Sequence, residues 1–548
     1  MSRIVIASMF VVLLHGDTTN AQDDRKFNED KFPGYGLQAP PGLFKNVNDS
    51  TVGDAILLRG TELFIDDRLV DSLDNARRQL NRPVKHKQNP VLVKTKPWEE
   101  GVPGYGTVHY DAQAKLFKMW YQGWKKTQGT STGLLYYATS RDGVRWDKPA
   151  LDDKGTNRVQ HPMIQGFQCP GIFLDRHDSD PQRRYKMLFS CNPDGTAATW
   201  MTSAAFSPDG IHWTASDTTA LIPFSDTQIC PFWDPRSQRY VAILRFGPPN
   251  TRLISRTESQ DFLNWSPKVT VLRRTRMDAV QQTQFYQMSP MPYANVYLGV
   301  IGAYHNESLK QIPDDKPWTD RSDLQLAFSR DGVIWKRVGG SGAMKHAHLN
   351  QDRDWSKATR QATFMPYGAK DKDWDWGYIV PYFTPEPIII NDRIHFFYAA
   401  SNAKHWWMYT GDPPRKDPQA KKPTRGVGLA TLRRDGFVSI DAGPNAGTMT
   451  TRTFLFLGDT LLLNADAAQG AISVEALDAD NKPIPGFGRD ASVALTSDNI
   501  RHPLAWKGHK DLHQLQGRPM RLRFHLKQAR IFSITPQTQH NHHVRAYD

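Results

Sequence analysis

Short runs rich in aromatic and β-branched residues alternate along this chain with tight clusters of Asp, Gly, Ser and Asn. The runs come in pairs: 116–121 and 134–139, 185–190 and 200–206, 240–246 and 253–257, 296–303 and 324–329, 394–400 and 427–432. Each is long enough for one half-buried strand and too short for a helix. An earlier run ending in a turn stands before each pair, at 108–111, 171–175, 229–234, 287–292 and 387–392. Helical periodicity is scarce, and the best candidate is a short stretch at 69–80. After about residue 442 the pattern changes. Runs at 453–457, 461–464, 471–477, 493–495, 520–526 and 529–534 predict the strands of a small β-sandwich.

A motif marks the end of each pair of runs. Ser-x-Asp-Gly-x-x-Trp stands at Ser140 to Trp146, Ser207 to Trp213 and Ser329 to Trp335. A looser copy from Ser259 to Trp265 has Phe262 where the others have Gly, and a fainter one keeps Asp435-Gly436 but ends in Phe437. Asp-Gly is a hairpin signal, because Gly accepts positive φ and Asp can bond its own backbone. The Trp then begins a fourth strand. The Asp positions 142, 209, 261, 331 and 435 are spaced irregularly, as propeller blades with variable loops would be. The fold expected is therefore all-β: a five-bladed β-propeller at 55–442 followed by a β-sandwich at 443–534.

Composition sharpens this picture at the ends. The 548 residues exceed one ordinary core, and 16 Trp supply large side chains to bury. Arg3, the apolar stretch 4–14 and the small residue Ala21 predict a signal peptide at 1–21 and a secreted location. Residues 22–54 read as a polar linker and 535–548 as a polar tail. No later segment reaches the roughly 18 apolar residues of a membrane span. Cys169, Cys191 and Cys230 match no zinc spacing and are expected to be small buried residues. The net charge of +13 is scattered rather than clustered. It argues against nucleic acid as a partner and leaves an anionic glycan open. Phosphate loops, dinucleotide fingerprints and serine-hydrolase elbows are all missing.

The motif copies, in units such as Tyr136-Tyr137-Ala138-Thr139-Ser140-Arg141-Asp142-Gly143, resemble the blades of five-bladed glycosidase propellers. That superfamily holds invertases, levansucrases and arabinanases (glycoside hydrolase families 32, 43 and 68). A propeller followed by a sandwich is the family 32 arrangement. The segments Leu63-Phe64-Ile65-Asp66-Asp67 and Phe232-Trp233-Asp234-Pro235 are similar to those of secreted proteins resembling the family 32 N-terminal domain. The Trp-Met-Asn-Asp-Pro-Asn-Gly segment that carries the family 32 nucleophile is missing, as are the Arg-Asp-Pro and Glu-Cys motifs. The resemblance therefore implies an architecture and action on carbohydrate, but no catalytic set.

Glycoside hydrolysis requires two carboxylates, and in a propeller the first strands of the blades converge on one mouth. The catalytic candidates are therefore Asp226 with one of Glu100, Asp375 or Glu386, each placed at the expected start of a first strand. Trp98, Glu99, Tyr105, Gln168, Gln228, Asp278, Gln284, Tyr286, His305, Trp376 and His405 are the candidates for contacting substrate. Trp124 and Trp406 could also stack on a sugar. For each aromatic, packing between blades is at least as good an explanation. No cofactor and no metal ligand set is predicted, and a structural metal in the central channel stays open. The function expected is hydrolysis of a poly- or oligosaccharide. The alternative is a non-catalytic carbohydrate-binding or adhesion propeller, in which the aromatics matter and the acids do not.

Overall fold

The structure is a computed structural model. It describes residues 51–537 except 53–54, 128–129, 161–165, 193, 195–199, 218–220, 224, 247–251, 275–277, 279–282, 306–320, 339–362, 371 and 406–423. The calls on the signal peptide, most of the linker, Trp406 and most of the tail lie outside the described residues.

Five antiparallel sheets follow one another along the chain. Sheet I consists of Gly106–Asp111, Leu116–Thr127 and Thr130–Ser140. Sheet II consists of Gln168–Leu174, Tyr185–Cys191 and Met201–Ser207, with two short edge strands. Sheet III is Cys230–Asp234, Arg239–Phe246, Leu253–Ser259 and Val269–Leu272. Sheet IV is Thr283–Tyr293, Val296–His305 and Arg321–Ser329, again with edge strands. In sheet V, Tyr378–Pro381 and Ile388–Ile390 both pair with Arg393–Ser401, which pairs with Arg425–Arg433. Its outer edge is completed by Val84–Lys85 and Leu92–Val93, from far earlier in the chain.

The first strands of the sheets touch in order, I to II to III to IV to V. The circle closes where Val108 N donates to Phe383 O and Phe383 N to Gly106 O, both at 2.9 Å. This arrangement is propeller-like. Apolar clusters fill the spaces between neighbouring sheets. Trp120 and Tyr185 pack between I and II, and Phe173 and Tyr240 between II and III.

The repeated motif builds the same turn four times. In the first copy Gly143 N donates to Ser140 Oγ at 2.8 Å, and Val144 N and Arg145 N donate to Asp142 Oδ1. Trp146 Nε1 then donates to Gly143 O at 3.1 Å. The Trp-to-carbonyl bond recurs at Trp213, Trp265 and Trp335. The residue at the Gly position has φ of 75° at Gly143, 80° at Gly210, 77° at Gly332 and 70° at Phe262. The fainter copy is built differently: Asp435 itself takes φ of 60°, and Tyr293 OH donates to its carboxylate at 2.7 Å.

Two further sheets share a single core that includes Phe64, Met449, Phe456, Leu463, Trp506 and Phe524. One has the order Asp498–Pro503, Thr460–Asp466, Ala529–Gln537, Val438–Ala442, Arg77–Leu80, and the other Ala471–Leu477, Arg521–Lys527, Gly447–Thr451, Val70–Asp74. The expected helix at 69–80 is thus a pair of strands, turning at Asn75 with φ of 48°. The Leu and Val spacing there suits either element, and pairing with the C-terminal strands decides it. The same pairing bonds Glu62–Leu63, Val70–Asp74 and Arg77–Leu80 to the C-terminal sheets, while Leu63, Ile65 and Leu80 pack into the core of sheets IV and V. The strand expected at 493–495 amounts to a bridge between Leu495 and Ile472, while the polar edge strand Asp498–Pro503 carried no hydrophobic signal. Cys169, Cys191 and Cys230 are buried and unpaired with one another.

Candidate functional site

In an antiparallel sheet, the first strand starts at the end where the second finishes and the third begins. Tyr105, Gln168, Gln228, Gln284, Arg245, Arg252 and His405 therefore lie toward one end of the ring, the mouth. Thr227 Oγ1 donates to Tyr105 OH and Tyr105 OH to Tyr286 OH, each at 3.3 Å. His405 Nε2 lies 3.2 Å from Tyr286 OH. The Arg245 and Arg252 guanidinium carbons stand 4.9 and 5.7 Å from the centre of the Tyr286 ring. Arg245 pairs with the carboxylate of Asp226, whose side chain is 46% exposed, and Arg252 donates to Gln284 Oε1.

The electrostatics follow from this crowding. Burial, reinforced by the neighbouring charge of Arg252, pushes the Arg245 guanidinium below its ordinary value. Burial also pushes the His405 imidazole well down, and both arginines add to the effect. His405 is thus a neutral ring that can exchange a hydrogen bond with Tyr286. Its ring packs against Tyr304 and Tyr378 as well, at 4.7 and 4.9 Å.

Asp226, Tyr105, Gln284, Tyr286 and His405 are the expected residues that the fold brings together. Gln228 lies beside them and holds three sheets in place, its amide donating to Gly106 O and Pro170 O at 2.9 and 2.8 Å. Gln168 opens sheet II, in register with Ser190. The others have partners of their own. Glu99 is fully buried and accepts from Thr95 N, Lys96 N, Lys148 Nζ and Tyr121 OH. Glu100 is 3.9 Å from Arg158. Trp98 donates to Asn157 Oδ1 at 3.0 Å. Asp375 is buried against Lys85 at 2.6 Å and Tyr398 OH at 3.1 Å. Asp278 pairs with Arg337 at 2.8 Å. His305 sits inside sheet IV, 2.9 Å from Thr283 Oγ1 and 3.5 Å from Asp323. Trp376 is buried beneath the Arg321 guanidinium, 4.8 Å away.

Glu386 does not precede the first strand of sheet V, because that strand begins at Tyr378 and is interrupted at 382–387. Glu386 therefore lies toward the far end of the channel, paired with Arg176 in a pocket lined by Trp233, His177, Pro292 and Pro387. Among the described residues no group of three or more His, Cys, Asp or Glu could hold a metal ion. The inner strands are instead bridged by side-chain amides, with Gln287 Nε2 donating to Pro381 O at 2.5 Å.

Arg245 and Arg252 were not among the candidates, which were acids, amides, imidazoles and aromatics. Arg245 did carry a signal. It is a cation inside the apolar strand Arg239–Phe246, where an ionised group requires a partner.

No protein-family model matches the chain, and no curated protein matches it in sequence. Among solved structures it is similar to one described as a glycoside hydrolase, at 13% identity over 64% of this chain and 92% of the other, with a TM-score of 0.40. It is also similar to an N-acetylgalactosamine deacetylase from F. plautii, at 13% identity, 65% and 96% coverage and a TM-score of 0.41. A third is the α-L-arabinofuranosidase PaAbf62A from Podospora anserina, at 13% identity, 66% and 98% coverage and a TM-score of 0.37. Likeness this faint assigns neither an activity nor a residue.

Proposed function

We propose that this chain is a secreted glycoside hydrolase, a five-bladed β-propeller joined to a β-sandwich, acting on a poly- or oligosaccharide at the mouth of the ring. The observation that carries this reading is Asp226. It is a half-exposed carboxylate paired with Arg245, at the end of the ring where Arg245 also stands over Tyr286 and the Tyr105, Tyr286 and His405 side chains bond one another. Such a set can hydrogen-bond sugar hydroxyls and present one charged oxygen to an anomeric carbon. A carboxylate paired with Arg245 suits a base or nucleophile, which must be charged, better than an acid, which must carry a proton.

A specific observation favours the second reading, a carbohydrate-binding propeller without catalysis. Glu100, Asp375 and Glu386 each have their own cationic partner, at Arg158, Lys85 and Arg176. The test is a panel of neutral and acidic polysaccharides, reading both reducing-end release and binding. Release by the native chain, reduced at least a thousandfold in Asp226→Ala with binding retained, is the outcome expected. Binding with no release from any polysaccharide would establish the second reading.

A further inference from the structure

We propose that Arg245 and Arg252 make the mouth selective for an acidic carbohydrate, holding a sugar carboxylate or sulfate between two guanidiniums over the ring of Tyr286. This rests on reading the mouth as a carbohydrate site and goes further, to the class of sugar.

Three observations converge. First, both guanidiniums lie over one aromatic ring, at 4.9 and 5.7 Å, so two like charges share a small space. Arg252 also lies 5.5 Å from the Tyr304 ring, which fixes it in that position. Second, the described residues supply a single carboxylate, Asp226, against these two cations. Third, Arg245 Nη1 is buried without a hydrogen-bond partner among the described residues, although the side chain is only 6% exposed. A buried guanidinium N–H without an acceptor is costly in the free protein, and so is the repulsion between the two arginines. An anion arriving between them relieves both costs at once. The partner's chemistry follows from the donors: a planar fork of N–H groups matches the spacing of carboxylate or sulfate oxygens, which a sugar hydroxyl cannot satisfy. Arg252 is only partly buried, so its fork is within reach of a ligand.

Calorimetric titration at fixed ionic strength tests this with three probes of similar length: a galacturonate tetrasaccharide, a 6-sulfated galactose tetrasaccharide and neutral galactotetraose. At least one acidic probe should bind tenfold or more tighter than the neutral one, and which one it is identifies the anionic group. Arg252→Gln should remove that advantage, weakening acidic binding at least fivefold more than neutral binding. Asp226→Asn, which takes away the carboxylate competing for Arg245, should tighten acidic binding several-fold even though it abolishes any hydrolysis. Equal binding of acidic and neutral probes overturns the inference but leaves the carbohydrate reading intact. So does an equal loss for both kinds of probe in Arg252→Gln, or weaker acidic binding in Asp226→Asn. No binding of any probe overturns both.

Discussion

Glu99 lies wholly inside the protein, where an unpaired carboxylate could not stay charged. Burial alone would raise its carboxyl, but Lys148, Tyr121 and the backbone N–H groups of Thr95 and Lys96 outweigh it and hold the group below its usual range. Lys148 spans the gap by donating to Val93 O and Thr95 Oγ1 as well. Glu99 is therefore the knot that fastens the loop at 93–100 to sheet I. Glu99→Gln would keep the shape but leave Lys148 as a buried cation with no counter-charge. Breaking a buried pair in this way costs about 3–5 kcal/mol, and urea unfolding should show a loss of that order. In the sequence Glu99 and Glu100 were equivalent, two adjacent acids in one turn. What separates them is Lys148, 49 residues further on, and no local pattern reports such a meeting. The same limit applies at the mouth. Tyr105, Tyr286 and His405 were legible because aromatic and imidazole side chains beside strand ends are conspicuous. Asp375 and Asp278 looked equally eligible until Lys85 and Arg337 claimed them.

The hairpin turn is the element that the sequence described best. Its bonds join residues two or three positions apart, so the pattern and its geometry lie in the same few residues. Phe262 is the informative exception. It stands where the other copies have Gly and adopts φ of 70°, which costs an L-residue about 1–2 kcal/mol. Its ring is fully buried among Phe173, Phe206, Tyr240 and Trp265, at centroid distances of 5.7, 6.0, 5.4 and 5.5 Å. Losing a buried Phe side chain costs about 3–5 kcal/mol, so packing wins over backbone strain. Phe262→Gly should accordingly be less stable, by about 2 kcal/mol net, although it restores the residue that the motif prefers. A rise in melting temperature for this variant would refute the argument. At the same scale the stretch 69–80 misled, because its apolar spacing fits two kinds of element and its partners lie more than three hundred residues away in the chain.

At the scale of the whole molecule, early residues complete both halves. Sheet V depends on Val84–Lys85 and Leu92–Val93 for its outer edge. The C-terminal sheets depend on Val70–Asp74 and Arg77–Leu80 for theirs. Between the halves, Arg330, just after the third strand of sheet IV, reaches Glu62 and Asp66, at 2.7 Å each. A chain beginning at residue 94 would lose all of these contacts and expose three bare strand edges. It should bind a hydrophobic dye, lose its cooperative melt and aggregate, whereas adding back a peptide of residues 51–93 should restore part of the transition. None of these long-range pairings was legible in advance, because edge strands of two to five residues leave almost no hydrophobic signature.

Arg77–Leu80, hydrogen-bonded along Val438–Ala442, has one more consequence, for inheritance. Modules that recombination can shuffle are encoded in one uninterrupted stretch of gene. Here the C-terminal sheets draw their edge strands from codons that precede the whole ring, so a crossover near residue 442 would carry away an incomplete unit. The two parts of this protein are bound to be copied, lost and diversified together.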